Sequence, residues 1–308
     1  MNKRLLLFVF LPIAVLAQQA VTEKLDLKNG DIAIPGTLSY IDSPEKQPLA
    51  IFVHGSGTID RDGNAPNFPG NANYLRTLAD SLNVRGIAFY RYDKRSATVS
   101  NLEKMADDTI DDLVADVRIA INHFKNDARF SSITLIGHSQ GSLVAMLAID
   151  GSVSKYVSLA GAGQSIDHIL VEQLGRQQED MGKTARRYFD ELRQTDTILE
   201  VNPFLQVIFA PRNQKFLKHW MMIDPTEEIA KVTIPILIVN GDADMQVEVT
   251  DAEKLHAAAP GSRLQIIPKM NHVLKKVNTI SGNMESYSDE KFPLSVLLVE
   301  TLEEFIKS

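Results

Sequence analysis

The stretch Ile133-Thr-Leu-Ile136-Gly137-His138-Ser139-Gln140-Gly141-Ser142-Leu143 decides the fold of this chain. A short β-branched run leads straight into G-x-S-x-G, and a helical run from Ser142 to Ile149 follows. Between a strand and a helix this pattern forms a nucleophile elbow, a sharp turn that exposes the serine at the carboxyl edge of a sheet. Gly137 and Gly141 are required there because side chains at those positions meet the adjoining strand and helix.

Working outward, strand-length apolar runs recur at 48–53, 86–90, 133–136, 156–159, 236–239 and 264–267. Their continuous hydrophobicity suits strands covered on both faces, as in a parallel sheet. Amphipathic helices lie between them. Leu75, Leu78 and Leu82 mark one. Ile110, Leu113, Val114, Val117, Ile121 and Phe124 mark the next, with Asp107 and Asp108 as its expected caps. Val296, Leu297, Leu302, Phe305 and Ile306 mark the last. The alternation predicts a doubly wound, mostly parallel α/β sheet. Residues 21–40 predict an antiparallel hairpin at its start, with turns at Asn29-Gly30 and Pro35-Gly36.

Residues 164–229 break the alternation. They offer helix-like segments and no convincing strand, which predicts a helical cap inserted between a first core part, 18–163, and a second, 230–308. The apolar residues Phe204, Phe209, Phe216, Trp220, Met221 and Met222 within it are either an acyl pocket or the insertion's own core. Residues 1–17 read as an export signal. Lys3 and Arg4 precede the apolar run Leu5 to Leu16, which is too short to span a bilayer, and Ala17 supplies a small residue for cleavage. The expected location is therefore periplasmic or secreted, with no stable membrane insertion after cleavage.

The 308 residues carry a formal charge of −7, which becomes −9 once Lys3 and Arg4 are removed. An acidic surface argues against nucleic acid, whose phosphates require clustered Lys and Arg. The chain has no cysteine, hence neither disulfides nor lipid-bearing thiols. No set of side chains stands out at metal-ligand spacing, and no cofactor is expected.

A serine hydroxyl needs a base to become a nucleophile. His168 and His219 lie in the expected cap, and His256 lies in an Ala-rich helix. His272 sits in a loop just past the run 264–267, from which it can reach over the sheet edge. The supporting acid should follow the run 236–239, where Asp242 and Asp244 both occur. Asp244, farther from the strand, has the reach to bend back, and Asp242 suits the turn. An oxyanion hole needs two convergent N–H groups. Gln140, immediately after the nucleophile, supplies one. Ser56 in His54-Gly55-Ser56-Gly57 supplies the other. His54 and Gly55 are assigned to the wall of the substrate site.

Taken in order, HGSG, GHSQG, GDAD and Asn271-His272 resemble the motifs of the α/β-hydrolase superfamily from about residue 21 to the chain end. More narrowly, residues 54–63 resemble the oxyanion loop of bacterial carboxylesterases related to serine aminopeptidases and monoacylglycerol lipases. Tyr92-Asp93-Lys94-Arg95 resembles the turn written YDxRGxGxS in that group, although Ser96 to Ser100 contain neither glycine. Trp220 with Asp224-Pro225 resembles the cap-exit segment, which implies substrate binding for Trp220. The resemblance implies a serine carboxylesterase acting on a small-molecule ester, with Ser139, His272 and Asp244 as triad. A serine at the elbow excludes the dehalogenases and epoxide hydrolases of this fold, which place aspartate there. Peptidase, thioesterase and carbohydrate deacetylase activities share the same triad. For an aminopeptidase, Glu172, Glu179 and Asp180 are the candidate amine-binding acids. A non-catalytic binding protein is the alternative of a different class. Oligomeric state is left open.

Overall fold

The structure, a computed structural model, describes residues 20–66 and 69–308. The expected signal segment 1–17 lies outside the described residues. Eight strands follow in chain order: β1 (Ala20–Asn29), β2 (Ile32–Ile41), β3 (Gln47–Val53), β4 (Ala88–Tyr92), β5 (Phe130–His138), β6 (Lys155–Leu159), β7 (Ile236–Gly241) and β8 (Arg263–Ile267). They form one sheet in the order β1-β2-β4-β3-β5-β6-β7-β8. β2 pairs antiparallel with both β1 and β4, and all later pairings are parallel.

The helices are α1 (Tyr74–Asn83), α2 (Ile110–Phe124), α3 (Gln140–Ala148), α4 (Ile166–Gln177), α5 (Glu179–Thr195), α6 (Gln206–Phe209), α7 (Pro211–Met221), α8 (Pro225–Ile229), α9 (Val249–Ala258), α10 (Ile280–Glu285) and α11 (Val296–Lys307). Successive strand residues point to opposite faces and so feed two cores. Leu49, Ile51 and Val53 of β3 pack with Val114, Val117 and Ile121 of α2. Ala50 and Phe52 pack instead with Leu75 and Leu78 of α1 and Leu298 and Leu302 of α11. This is why the central strands read as unbroken apolar runs.

Three local expectations are corrected. Pro35-Gly36 is not a turn, because β2 runs straight through it and pairs Pro35 with Asp26 and Gly36 with Leu25. The Pro35 carbonyl accepts from Asp93 N–H, 2.8 Å away. Its missing N–H therefore faces the β4 side, just beyond the paired stretch Gly36–Ser39, and no bond to β1 is lost. Gly36 is needed for space, since a Cβ there lies 2.3 Å from the Tyr90 hydroxyl. The expected turn at Asn29-Gly30 does join β1 to β2, with Gly30 at φ 57°.

The cap of α2 is Thr109, not Asp107 or Asp108. Thr109 forms a capping box with Asp112, while Asp107 pairs with Lys215 and Asp108 with Arg95. Strand β4 begins two residues later than the run 86–90 implies. Gly86, at φ 70°, is still closing the turn out of α1, its N–H bonded to Asn83 at 2.8 Å.

Residues 164–229 contain α4 to α8 and no strand. They hold an apolar cluster of their own, in which Phe189, Phe209, Leu192 and Met221 are buried.

Candidate active site

The parallel connections run one way from β3 to β4 and the other way, past β3, to β5. Open α/β sheets bind ligands in the crevice at such a reversal. The loop after β3 and the elbow after β5 meet there.

At the elbow, Ser139 has φ 55° and ψ −124°, a conformation strained for any residue with a Cβ. Its N–H donates to Leu159 at 3.0 Å and its carbonyl accepts from Ser142 at 2.9 Å. A Cβ at Gly137 lies 2.3 Å from the Gly141 carbonyl, and one at Gly141 lies 2.2 Å from the Val53 carbonyl. Glycine at both positions lets α3 start against β3 and β5. Below it, the Ser142 hydroxyl lies 2.8 Å from both Tyr156 OH and Ser158 Oγ, a buried network that nothing in the motif signals.

His272 and Asp244 come together. Nδ1 of His272 lies 2.8 Å from Oδ2 of Asp244, and both side chains are almost completely buried. The second carboxylate oxygen accepts from the Gln246 and Val247 amides at 2.8 and 3.0 Å. Asp242 is exposed, and its carboxylate accepts from Lys269 N–H, holding the turn before the histidine. The histidine loop is fastened from below. Asn271 donates to Asn283 and Ser286, and its carbonyl oxygen Oδ1 accepts from Lys275 N–H.

Ser139 is partly exposed amid buried neighbours. Among the described residues no hydrogen bond joins Ser139 Oγ to His272, a contact that commonly forms only with substrate in place.

The loop after β3 approaches the elbow closely, since a Cβ at Gly55 lies 3.1 Å from Cβ of Ser139. The Ser56 and Gln140 amides have no acceptor among the described residues and are free to donate. Arg61 anchors this loop to the end of β4 by a paired contact with Asp93, at 2.8 and 2.6 Å. Ser96 Oγ donates to Gly57 at 3.1 Å. No positive φ occurs between Asp93 and Asp108, so the two glycines absent from that turn have no conformational work here.

His54 and Trp220, both assigned to substrate binding, also make scaffold contacts. The His54 ring is buried and bonds the Tyr92 carbonyl, and burial lowers its pKa to about 4. It ties β3 to β4 as a neutral ring. Trp220 packs between the apolar cluster of residues 164–229 and that of the sheet, edge-on to Phe216. The apolar residues of the insertion divide: Phe209 and Met221 are core, whereas Phe204 and Met222 are 82% and 66% exposed.

Sequence reasoning missed His138 and Lys94. His138 Nε2 lies 2.8 Å from the His272 carbonyl, and the two rings are 4.7 Å apart. Burial, reinforced by the neighbouring His272, lowers the His138 pKa to about 3. The neutral ring therefore donates from Nε2. Lys94 contacts Gly55 and Gln140. Neither role has a signal in the sequence beyond adjacency to a motif.

An open cleft lined by Lys276, Asn278, Glu285 and Phe292 contains none of these residues. Among the described residues no group of three or more His, Asp or Glu is placed to hold a metal.

Strand order and elbow define the class by fold: the chain has the α/β-hydrolase fold, with Ser139 at the strand-to-helix elbow. A family described as "Serine aminopeptidase, S33" matches residues 70–200, a span that includes Ser139 but neither Asp244 nor His272. The chain is 24% identical over 267 residues to Esterase EstD of Thermotoga maritima, covering 82% of this chain. It spans about 60% of the length of that relative. Among solved structures, Est1E from Butyrivibrio proteoclasticus superposes with a TM-score of 0.58 at 19% identity, covering 92% of this chain and 97% of the other. An esterase from Pyrococcus furiosus does so at 0.57 and 16% identity, covering 99% and 96%. These likenesses are of fold.

Proposed function

We propose that this protein is a serine carboxylesterase acting on small-molecule esters, with Ser139 as nucleophile, His272 as base and Asp244 as its orienting acid. The observation that carries the reading is the meeting of three elements at one sheet edge: the strained Ser139 elbow, the Gly55 loop against it, and the buried His272–Asp244 pair. The relative and the solved structures named as esterases agree with it.

Ser139 Oγ attacks the ester carbonyl while His272 Nε2 takes its proton. Asp244 holds Nδ1–H, which fixes the tautomer and stabilises the imidazolium. The carbonyl π electrons move to oxygen, and the oxyanion is met by the Ser56 and Gln140 amides. One such donor is worth roughly 2.7–4 kcal/mol in related sites. Collapse breaks the bond to the alcohol, which leaves with the proton from His272. Water, deprotonated by His272, then attacks the acyl-enzyme and releases the acid and Ser139.

An aminopeptidase needs acids that bind the substrate amine. Glu179 and Asp180 are highly exposed and paired with Lys183 on the outer face of α5. Glu172 bonds Gln164 instead. That arrangement favours the ester reading. Residues 164–229 serve as the cap, and residues 1–17 direct export to the periplasm or beyond before removal.

The test is hydrolysis of p-nitrophenyl acetate, butyrate and octanoate beside an aminoacyl-anilide, with Ser139→Ala as control. Ester turnover that vanishes in the variant is expected. Anilide turnover without ester turnover moves the assignment to a peptidase.

A further inference from the structure

Lys94 enters the site from the end of β4 and is 8% exposed. Its ammonium donates to the Gly55 carbonyl and to Oε1 of Gln140, both at 2.7 Å. It touches neither His272 nor Asp244, and the proton transfers do not use it. Its two partners, however, belong to the two sides of the oxyanion hole.

In a trans peptide the carbonyl and the following N–H point in opposite directions. No cis peptide occurs among the described residues. Holding the Gly55 carbonyl toward Lys94 therefore aims the Ser56 N–H the other way, out of the scaffold. Gln140 is the first residue of α3, and its side chain is clamped by the same ammonium while its main-chain N–H stays free. We propose that Lys94 is a positioning residue that sets the spacing and direction of the two oxyanion donors by bridging Gly55 and Gln140. The proposal rests on the esterase reading, specifically on Ser56 and Gln140 as donors.

A cation on the carbonyl oxygen also withdraws electrons from that peptide, which makes its N–H a stronger donor as negative charge grows nearby. Burial lowers the Lys94 pKa to about 7, with Asp116 acting against the shift and Arg95 adding to it. A side chain serving only to fill this space has no need of an ammonium, since apolar residues fill buried sites without the desolvation penalty. The site keeps a lysine amine instead, with both of its acceptors on the residues that frame the hole.

The experiment compares wild type with Lys94→Met, which keeps the stem and loses the donor, and Lys94→Gln, a neutral donor. Three quantities are read on the full protein with p-nitrophenyl butyrate as substrate: kcat and KM; the inhibition constant of a matching trifluoromethyl ketone; and that of the corresponding secondary alcohol. The ketone reports the hole, because Ser139 Oγ adds to its carbonyl carbon, the proton passes to His272, and the former carbonyl oxygen becomes the oxyanion. The alcohol reports ground-state binding only.

For Lys94→Met the expectation is a fall in kcat of about 30-fold, a fraction of the 10²–10³ that outright loss of a donor costs. KM and alcohol affinity should stay near wild type, while ketone affinity falls by the same factor as kcat. Lys94→Gln should lie between the two. Folded Lys94 variants with wild-type kcat and ketone affinity overturn the proposal. So does a parallel loss of ketone and alcohol binding, which marks a merely structural role. A wild-type protein that neither cleaves the ester nor takes the ketone overturns the esterase reading itself.

Discussion

His138 donates from Nε2 to the main-chain carbonyl of His272, 2.8 Å away, so the residue before Ser139 holds the backbone of the histidine paired with Asp244. The contact joins the elbow after β5 to the loop after β8 across two intervening strands. The ring donates there in either protonation state, and burial keeps it neutral.

The same burial makes the fold acid-sensitive. His138 and His54 have pKa values lowered to about 3 and about 4 in the folded protein. An unfolded histidine titrates near 6.5, so between about pH 6.5 and 4 the unfolded chain binds more protons than the folded one. Stability is therefore full above that range and is lost as pH falls through it. Each ring adds a slope of up to about 1.4 kcal/mol per pH unit. Urea midpoints measured from pH 7 to 4 should show this loss, and His138→Gln should flatten it.

Asp244 and Asp242 lie two residues apart with different work. Asp244→Asn removes the acceptor that orients His272 and should lower kcat by about 10³–10⁴ with little change in KM. Asp242→Asn weakens only the turn at Lys269 and should leave kcat near wild type. Steady-state ester hydrolysis by the two variants checks both.

The elbow stores strain. At φ 55° and ψ −124°, Ser139 occupies a region open mainly to glycine. Ser139→Gly should be inactive yet more stable than Ser139→Ala by about 1 kcal/mol, the low end of such strain energies. Equilibrium unfolding of the two variants decides it, and equal stabilities contradict the strained-elbow account.

Arg95 is 2% exposed, holds Asp116 through two hydrogen bonds of 2.7 Å and forms an ion pair with Asp108 at 2.8 Å. Removing it as Arg95→Met leaves Asp116 buried with Asn29 as its remaining side-chain partner. The expected loss is about 3–5 kcal/mol of stability. Adding Asp116→Asn should restore part of it, because the stranded charge is then gone. Thermal and urea unfolding of the single and double variants read this out.

The layered sheet was legible in the sequence because its signals are local. Unbroken β-branched runs, 3.6-residue periodicity and a glycine on each side of Ser139 each report nearby backbone and burial. The positions of Ser139, Asp244 and His272 were legible because each follows a strand at the same sheet edge, and strand ends can be located one at a time. What depends on contacts between distant segments was not legible. Pro35 reads as a turn until pairing with β1 and β4 shows which side its missing N–H faces. His54 bonds the distant Tyr92 carbonyl, and Trp220 packs, partly buried, between two apolar clusters, contacts that proximity to a motif does not signal. His138 and Lys94 acquire their parts from groups far along the chain, at His272 and at Gly55 and Gln140. The sequence by itself determined the elements and the candidate side chains at the sheet edge, through short-range propensity and pattern. Only the tertiary structure decided which polar groups hold them in place, because hydrogen bonds between buried groups depend on how segments remote in sequence pack.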